Sequence, residues 1–162
     1  MLKYTDTQVT FAEVPDHITL CINISNCPCH CQGCHSAYLA KDIGEVLDKK
    51  SLCHLIESNK GISCIAFMGG DSDPKQVNTL AIEAKMLTQY NPIKIAWYSG
   101  RECVSPKINL WNFDFIKLGP YKEKFGPLNK RTTNQKFYRV VHISTGKSKL
   151  YDITYKFWKG ND

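Results

Sequence analysis

Cys27, Cys31 and Cys34 stand at the spacing C-x3-C-x2-C inside Cys27-Pro28-Cys29-His30-Cys31-Gln32-Gly33-Cys34. Three thiolates so close in sequence suit a soft metal centre, an iron-sulfur cluster or zinc. Seven intervals separate Cys27 from Cys34, a reach of roughly 25 Å if fully extended, so the loop must curl to bring its sulfurs to one centre. Pro28 stiffens its first half, and Gly33 permits a backbone conformation that other residues resist. A 4Fe-4S cluster that only carries electrons takes four cysteines. With three, one iron has no protein ligand and can bind a small molecule directly. Zinc fits less well. Cys29, His30 and His35 could supplement the set, but structural zinc sites pair two ligand clusters, and the only C-x2-C here is Cys31 to Cys34. Cys29, between two ligands, is expected to point outward as a bystander. A non-enzymatic iron-sulfur or zinc module, with Cys29 or a histidine in the fourth position, is the competing reading.

The rest of the chain bounds what this loop can belong to. Its 162 residues suffice for one core, read as a single domain with a body over about 8–142 and a basic extension over 143–162. The start of the chain has no apolar run of signal-peptide length, and no stretch approaches the roughly 18 to 20 apolar residues of a membrane span. A cytoplasmic protein with no membrane partner is expected. Of the eight cysteines, four crowd into 27–34 while Cys21, Cys53, Cys64 and Cys103 stand singly, which favours metal over disulfides. Cys21, Cys53 and Cys64 read as small buried hydrophobes. Residues 1–116 hold 10 basic and 12 acidic side chains, a net −2, and residues 117–162 hold 11 and 3, a net +8. No nucleic-acid module accompanies this basic segment, so a solvated basic face is expected and no nucleic-acid partner.

Elements that could position the loop follow from periodicity. Residues 18–24 alternate and run into the cysteines as a strand. Residues 46–58 set Val46, Leu52, Leu55 and Ile56 near one helical face, and 62–68 are strand-like before Gly69-Gly70-Asp71. Val77, Leu80, Ala81, Ala84 and Leu87 mark the clearest helix, with Asp73 as cap, Pro74 in the first turn and Gln76 completing a capping-box pattern. Asn91-Pro92 stops it. Residues 93–98 and 113–118 are further strands, and 137–157 read as two strands around Thr145-Gly146-Lys147 that cover a sheet edge. The alternation implies a parallel sheet of α/β class. A full eight-unit barrel needs about 250 residues, so the expected form is a partial, open (β/α) barrel with a short C-terminal β extension.

The cysteine motif resembles that of the radical S-adenosylmethionine superfamily. A closer resemblance comes from Ile22-Asn23-Ile24 with Cys27 to His35, then Phe67 to Asp71, Ala96-Trp97-Tyr98-Ser99-Gly100, Ile116 to Pro120 and Lys130 to Gln135. Together these look like the activating proteins of anaerobic ribonucleoside-triphosphate reductase, over about residues 8–142. The resemblance implies an enzyme that holds one 4Fe-4S cluster and binds S-adenosylmethionine at the open iron. One electron cleaves S-adenosylmethionine to methionine and a 5'-deoxyadenosyl radical, which takes a hydrogen atom from a glycine Cα of the large reductase subunit and leaves a glycyl radical there. The implied partners are that subunit and an electron donor such as flavodoxin or ferredoxin. An activase of another glycyl-radical enzyme, of the formate-lyase type, is the alternative, and the compact length without an inserted cluster domain argues for the reductase.

The same resemblance assigns residues. Cys27, Cys31 and Cys34 become the cluster ligands and act catalytically through it. Gly33 and His35 flank the last ligand, where the family makes nucleoside contacts. Gly69, Gly70 and Asp71 match the glycine-rich loop that meets the methionyl amino group. Ser99 is a candidate for the ribose or carboxylate, and Lys117 a weaker one. Gly33 departs from the superfamily pattern, which has an aromatic residue before the final cysteine, and adenine is expected on His35 or Tyr38. The open side of the fold would admit a glycine loop of the partner, with the basic segment 117–139 along its border.

Overall fold

The computed structural model describes residues 1–158; the last four residues of the expected basic extension lie outside them. Eight strands form one open sheet: β1 (Lys3–Thr10), β2 (Thr19–Ile24), β3 (Glu45–Val46), β4 (Cys64–Met68), β5 (Lys94–Tyr98), β6 (Phe115–Leu118), β7 (Lys136–Ser144) and β8 (Lys147–Asp152). Their order is β3-β1-β2-β4-β5-β6-β7-β8. The four central strands, β2, β4, β5 and β6, are parallel, and the flanking pairs are antiparallel. The class is therefore mixed α/β and the sheet does not close on itself. β1 was not anticipated: its polar, exposed KYTDTQVT has no buried face to write an apolar alternation. It occupies the edge of β2 where a further parallel unit would have to add.

Two helices serve the central strands. In α1 (Lys49–Ser58), Leu52 and Leu55 are buried, while Val46 lies outside the helix, exposed in β3. In α2 (Pro74–Leu87), Val77, Leu80, Ala81 and Ala84 form the buried stripe that the sequence predicts. The start of α2 differs in one respect. Asp73 Oδ1 accepts from the Gln76 backbone N–H at 3.1 Å, but the Gln76 side chain turns away, donating to Leu47 O and accepting from Leu2 N. The reciprocal capping box belongs to α1, between Asp48 and Ser51. No α-helix joins β5 to β6; that crossover holds only the 3-10 turn Leu110–Asn112.

Strand alternation sorts side chains onto two faces. Leu20, Ile22, Ile24, Ile65, Phe67, Ile95, Trp97, Ile116 and Leu118 pack with the helices. The opposite face presents Cys21, Cys64, Ala66, Ala96, Tyr98, Phe115 and Phe137, and is covered by Val14, Leu128, Ile153 and Phe157. Cys21 and Cys64 are buried hydrophobes as expected, and burial raises both thiols to about 12. Cys53 is only half-buried, on the outer side of α1. β7 and β8 form the expected terminal hairpin, with a register shift between His142 and Ser144, and extend the sheet beyond β6. No helix among the described residues is long and apolar enough to cross a membrane.

Candidate functional site

All four parallel strands end on the side from which the cysteine loop leaves β2. The base of the loop is pinned: Asn26 N–H donates to Lys41 O, Cys27 N–H to Leu39 O, and the Ser25 hydroxyl to Ile43 O at 2.6 Å. Between these anchors the chain curls through positive φ at Asn26 (59°), His30 (47°) and Gly33 (76°), and Cys34 N–H donates to Cys31 O. Gly33 thus holds the backbone conformation expected of it. Cys27, Cys29, Cys31 and Cys34 are all half-buried free thiols.

Cys29 does not point outward. Its thiol donates to Asp71 Oδ2 at 3.7 Å, and a Cβ placed on Gly100 would come within 2.7 Å of its Sγ. Asp71 is a hub, because its Oδ1 accepts from the Ser99 hydroxyl at 2.5 Å and its Oδ2 accepts from the Gly100 N–H at 2.8 Å. Loop, β4 end and β5 end are therefore joined through one buried carboxylate. Burial, then Asp71 and Cys27, raise the Cys29 thiol to about 12. The expectation that Cys29 points outward is thus corrected: it is turned inward, towards the β4 and β5 ends.

Gly69 and Gly70 adopt φ of 108° and 93°, which explains both glycines through the backbone. A Cβ on Gly70 would meet Val77 Cγ2 of α2 at 2.5 Å, so this glycine is also required by helix packing. The turn is held from the helix-covered face, where Trp97 Nε1 donates to Gly69 O at 2.8 Å. Trp97 and Tyr98, whose hydroxyl donates to Glu13 O, are buried core residues.

Lys117 is the functional candidate that the sequence undervalued. Parallel register sets Asn23 beside Met68, Met68 beside Tyr98 and Tyr98 beside Lys117, one row across the strand ends. The Lys117 side chain is buried, and Nζ donates to Ser99 O at 3.3 Å and Gly119 O at 2.8 Å. Burial lowers its pKa to about 8, against the opposing pull of Asp71 and of the Cys31, Cys29 and Cys34 sulfurs.

The outer side of the loop meets the segment after β6. His35 lies 5.9 Å from the ring of Tyr121, and a Cβ on Gly33 would stand 3.2 Å from Glu123 Oε2. Tyr38 is elsewhere: its hydroxyl donates to Asp6 of β1 at 3.3 Å. The two adenine candidates therefore occupy different sides of the loop, and Tyr121, which no spacing singled out, accompanies His35.

Among the described residues no three His, Cys, Asp or Glu side chains gather as ligands of a single metal ion. That does not conflict with a four-iron cluster, whose thiolates bind separate irons and stand apart by the width of the cluster. Three thiols on one curled loop, beside a buried cation, fit the chemistry of that group. Of two shallow cavities, of about 310 and 160 Å³, the smaller is lined by Leu118, Gly119 and Glu102 at the carboxyl end of β6. The larger is lined by Lys85, Lys94 and Asp114, at the opposite ends of the strands. No family model, curated protein or solved structure matches the chain.

Proposed function

We propose that the chain is an iron-sulfur activase of the radical S-adenosylmethionine type, with its sheet acting as the partial, open barrel of that class, which generates a glycyl radical on the large subunit of an anaerobic ribonucleotide reductase. The observation that carries this reading is the joining of the cysteine loop to the β4 and β5 ends through Cys29, Asp71, Ser99 and Gly100. That shared location supports the reading because ligands of open parallel sheets bind at the carboxyl ends of the strands.

Cys27, Cys31 and Cys34 would hold a 4Fe-4S cluster. When bound, that cluster supplies an open iron for the amino and carboxylate groups of S-adenosylmethionine and the electron for its cleavage to a 5'-deoxyadenosyl radical. The protein's part is positioning. The pinned loop base keeps the cysteines over the strand ends, and Asp71 keeps the Ser99-Gly100 turn beside them. The Gly69-Gly70 turn, fastened by Trp97, offers backbone groups at the same end for the methionyl amino group. Gly33, His35 and Tyr121 border the outer side, where the nucleoside would lie. The large subunit and a low-potential donor such as flavodoxin or ferredoxin are the partners of this reading, and a cytoplasmic setting accords with them.

The test is anaerobic: load iron and sulfide, reduce with dithionite, add S-adenosylmethionine and measure 5'-deoxyadenosine by chromatography. Its formation is expected. Its absence from a protein loaded to four irons and spectroscopically reduced, with the reductase subunit also present, would refute the enzyme reading and favour a binding module. Radical transfer to a formate-lyase type protein and not to the reductase would instead identify the alternative partner.

A further inference from the structure

We propose that Glu123 is the carboxylate that selects a ribonucleoside at the cysteine loop, accepting hydrogen bonds from its vicinal 2'- and 3'-hydroxyls; the inference rests on the S-adenosylmethionine reading above. Between Lys117 and Tyr151 the chain carries a single carboxylate, Glu123, set between Lys122 and Lys124. An acid so placed has cations on both sides to pair with, yet neither lysine meets it. Lys122 Nζ reaches Glu102 Oε1 at 4.0 Å, and Lys124 Nζ lies 4.7 Å from the ring centroid of Phe125. Among the described residues no cation forms an ion pair with Glu123. Its side chain is instead folded onto the cysteine loop. A Cβ added to Gly33 would stand 3.5 Å from Glu123 Cβ, 3.3 Å from Cδ and 3.2 Å from Oε2, so the side chain lies along the glycine from Cβ to carboxylate.

A second contact joins the same two segments. His35 follows Gly33 by two residues and Tyr121 precedes Glu123 by two, and their rings stand 5.9 Å apart with a tilt of 52°. Two aromatic rings and a carboxylate without an ion-pair partner therefore gather on the outer side of the loop. Gly33 makes room for them: with φ of 76° and no side chain, it lets the carboxylate approach the backbone. Gly33, His35 and Glu123 are all exposed, so a ligand can reach them from solvent. The chemistry of the carboxylate decides which part of a nucleoside it takes. Ionised, it accepts hydrogen bonds and donates none. An adenine edge sets acceptor N7 beside donor N6, so a carboxylate laid along it gains one hydrogen bond and faces a lone pair with its other oxygen. A cis-diol presents two O–H donors, and both hydrogen bonds to the carboxylate are charge-assisted. The rings of His35 and Tyr121 are left for the base.

The experiment uses the full chain, reconstituted anaerobically and kept oxidised so that no turnover occurs, as wild type, Glu123→Ala, Glu123→Gln and Glu102→Gln. The probes are S-adenosylhomocysteine, which keeps the diol, and its 2',3'-dideoxy analogue. Kd is measured by equilibrium dialysis, and iron and sulfide are counted in every sample so that only fully loaded proteins are compared. Both Glu123 variants should raise the Kd of S-adenosylhomocysteine about tenfold, the size of a lost hydrogen bond to a charged group. Wild type should bind the dideoxy analogue about tenfold more weakly than S-adenosylhomocysteine, and the Glu123 variants should add no further loss, because the partner hydroxyls are already gone. Glu102→Gln, which removes a nearby charge paired to Lys122, should match wild type with both probes. Equal losses for the two probes, no loss in either Glu123 variant, or a Glu102→Gln loss as large as theirs would overturn the role of Glu123 and leave the iron-sulfur reading standing. A fully loaded wild-type protein that binds no S-adenosylhomocysteine would overturn both.

Discussion

Gly100→Ala probes the contact that joins the cysteine loop to the sheet. The added Cβ would lie 2.7 Å from Cys29 Sγ, 3.2 Å from Cys29 Cβ and 3.7 Å from Asp71 Oδ2. Gly100 is outside the left-handed region, so Ala meets no backbone penalty there and the cost isolates the clash. Forcing one methyl group into a packed contact costs about 1–3 kcal/mol, and displacing Cys29 also breaks its contact with Asp71. We expect Gly100→Ala to destabilise the metal-free, reduced protein by about 2 kcal/mol. In a Cys29→Ala background Sγ is gone, and the 3.2 Å approach to Cβ and the ordinary 3.7 Å contact with Asp71 Oδ2 remain. There the same substitution should cost under about 1 kcal/mol, leaving a coupling energy of about 1 kcal/mol between the two sites. Anaerobic urea melts of the four proteins measure this cycle, and a slope unchanged between them keeps the comparison valid. Equal costs of Gly100→Ala in both backgrounds would refute the inward orientation of Cys29.

The loop cysteines should separate by role: Cys27→Ala, Cys31→Ala and Cys34→Ala each lose bound iron and sulfide, while Cys29→Ala keeps both and loses about 1 kcal/mol of stability or less, as iron analysis and urea melts would show. Lys117 predicts a pH signature in the metal-free protein. Its folded pKa, about 8, is below the ordinary 10.5, so between those values the unfolded chain binds more protons and stability gains with rising pH. The penalty is present in full below pH 8 and fades towards 10.5, about 3 kcal/mol in all. Lys117→Met should abolish that gain relative to wild type, and identical pH profiles would contradict it. If the basic segment borders the partner's docking site, glutamate at Lys122, Lys124 and Lys130 should weaken the complex with the reductase subunit most at low salt. Affinity unchanged across salt concentrations, measured by titration calorimetry, would remove that role.

Local signals account for what could be read directly. The C-x3-C-x2-C spacing, the positive-φ role of Gly33, the α2 stripe from Val77 to Ala84 and its Asp73-Pro74 start depend on neighbours within a few residues. The buried central strands were legible for the same reason, as was the terminal hairpin around Thr145-Gly146. β1 was not, because an edge strand with an exposed polar face obeys no burial pattern. Gln76 was misread because the same residue type suits a capping box or a tertiary bridge, and Leu47 and Leu2 decided between them.

By itself, then, the sequence determined that three thiols share a short loop after a buried strand, that glycine turns follow the strands, and that charge gathers in the last third of the chain. Tertiary structure alone decided that Cys29 faces Asp71 across 42 residues, that Asp71 meets Ser99 across 28, and that Lys117 is buried against Ser99 across 18. Spacing encodes the helix and strand periods, which are properties of the local backbone. The direction of a thiol or the burial of an ammonium depends on which strand ends the parallel register brings side by side, and that is settled only when the sheet assembles.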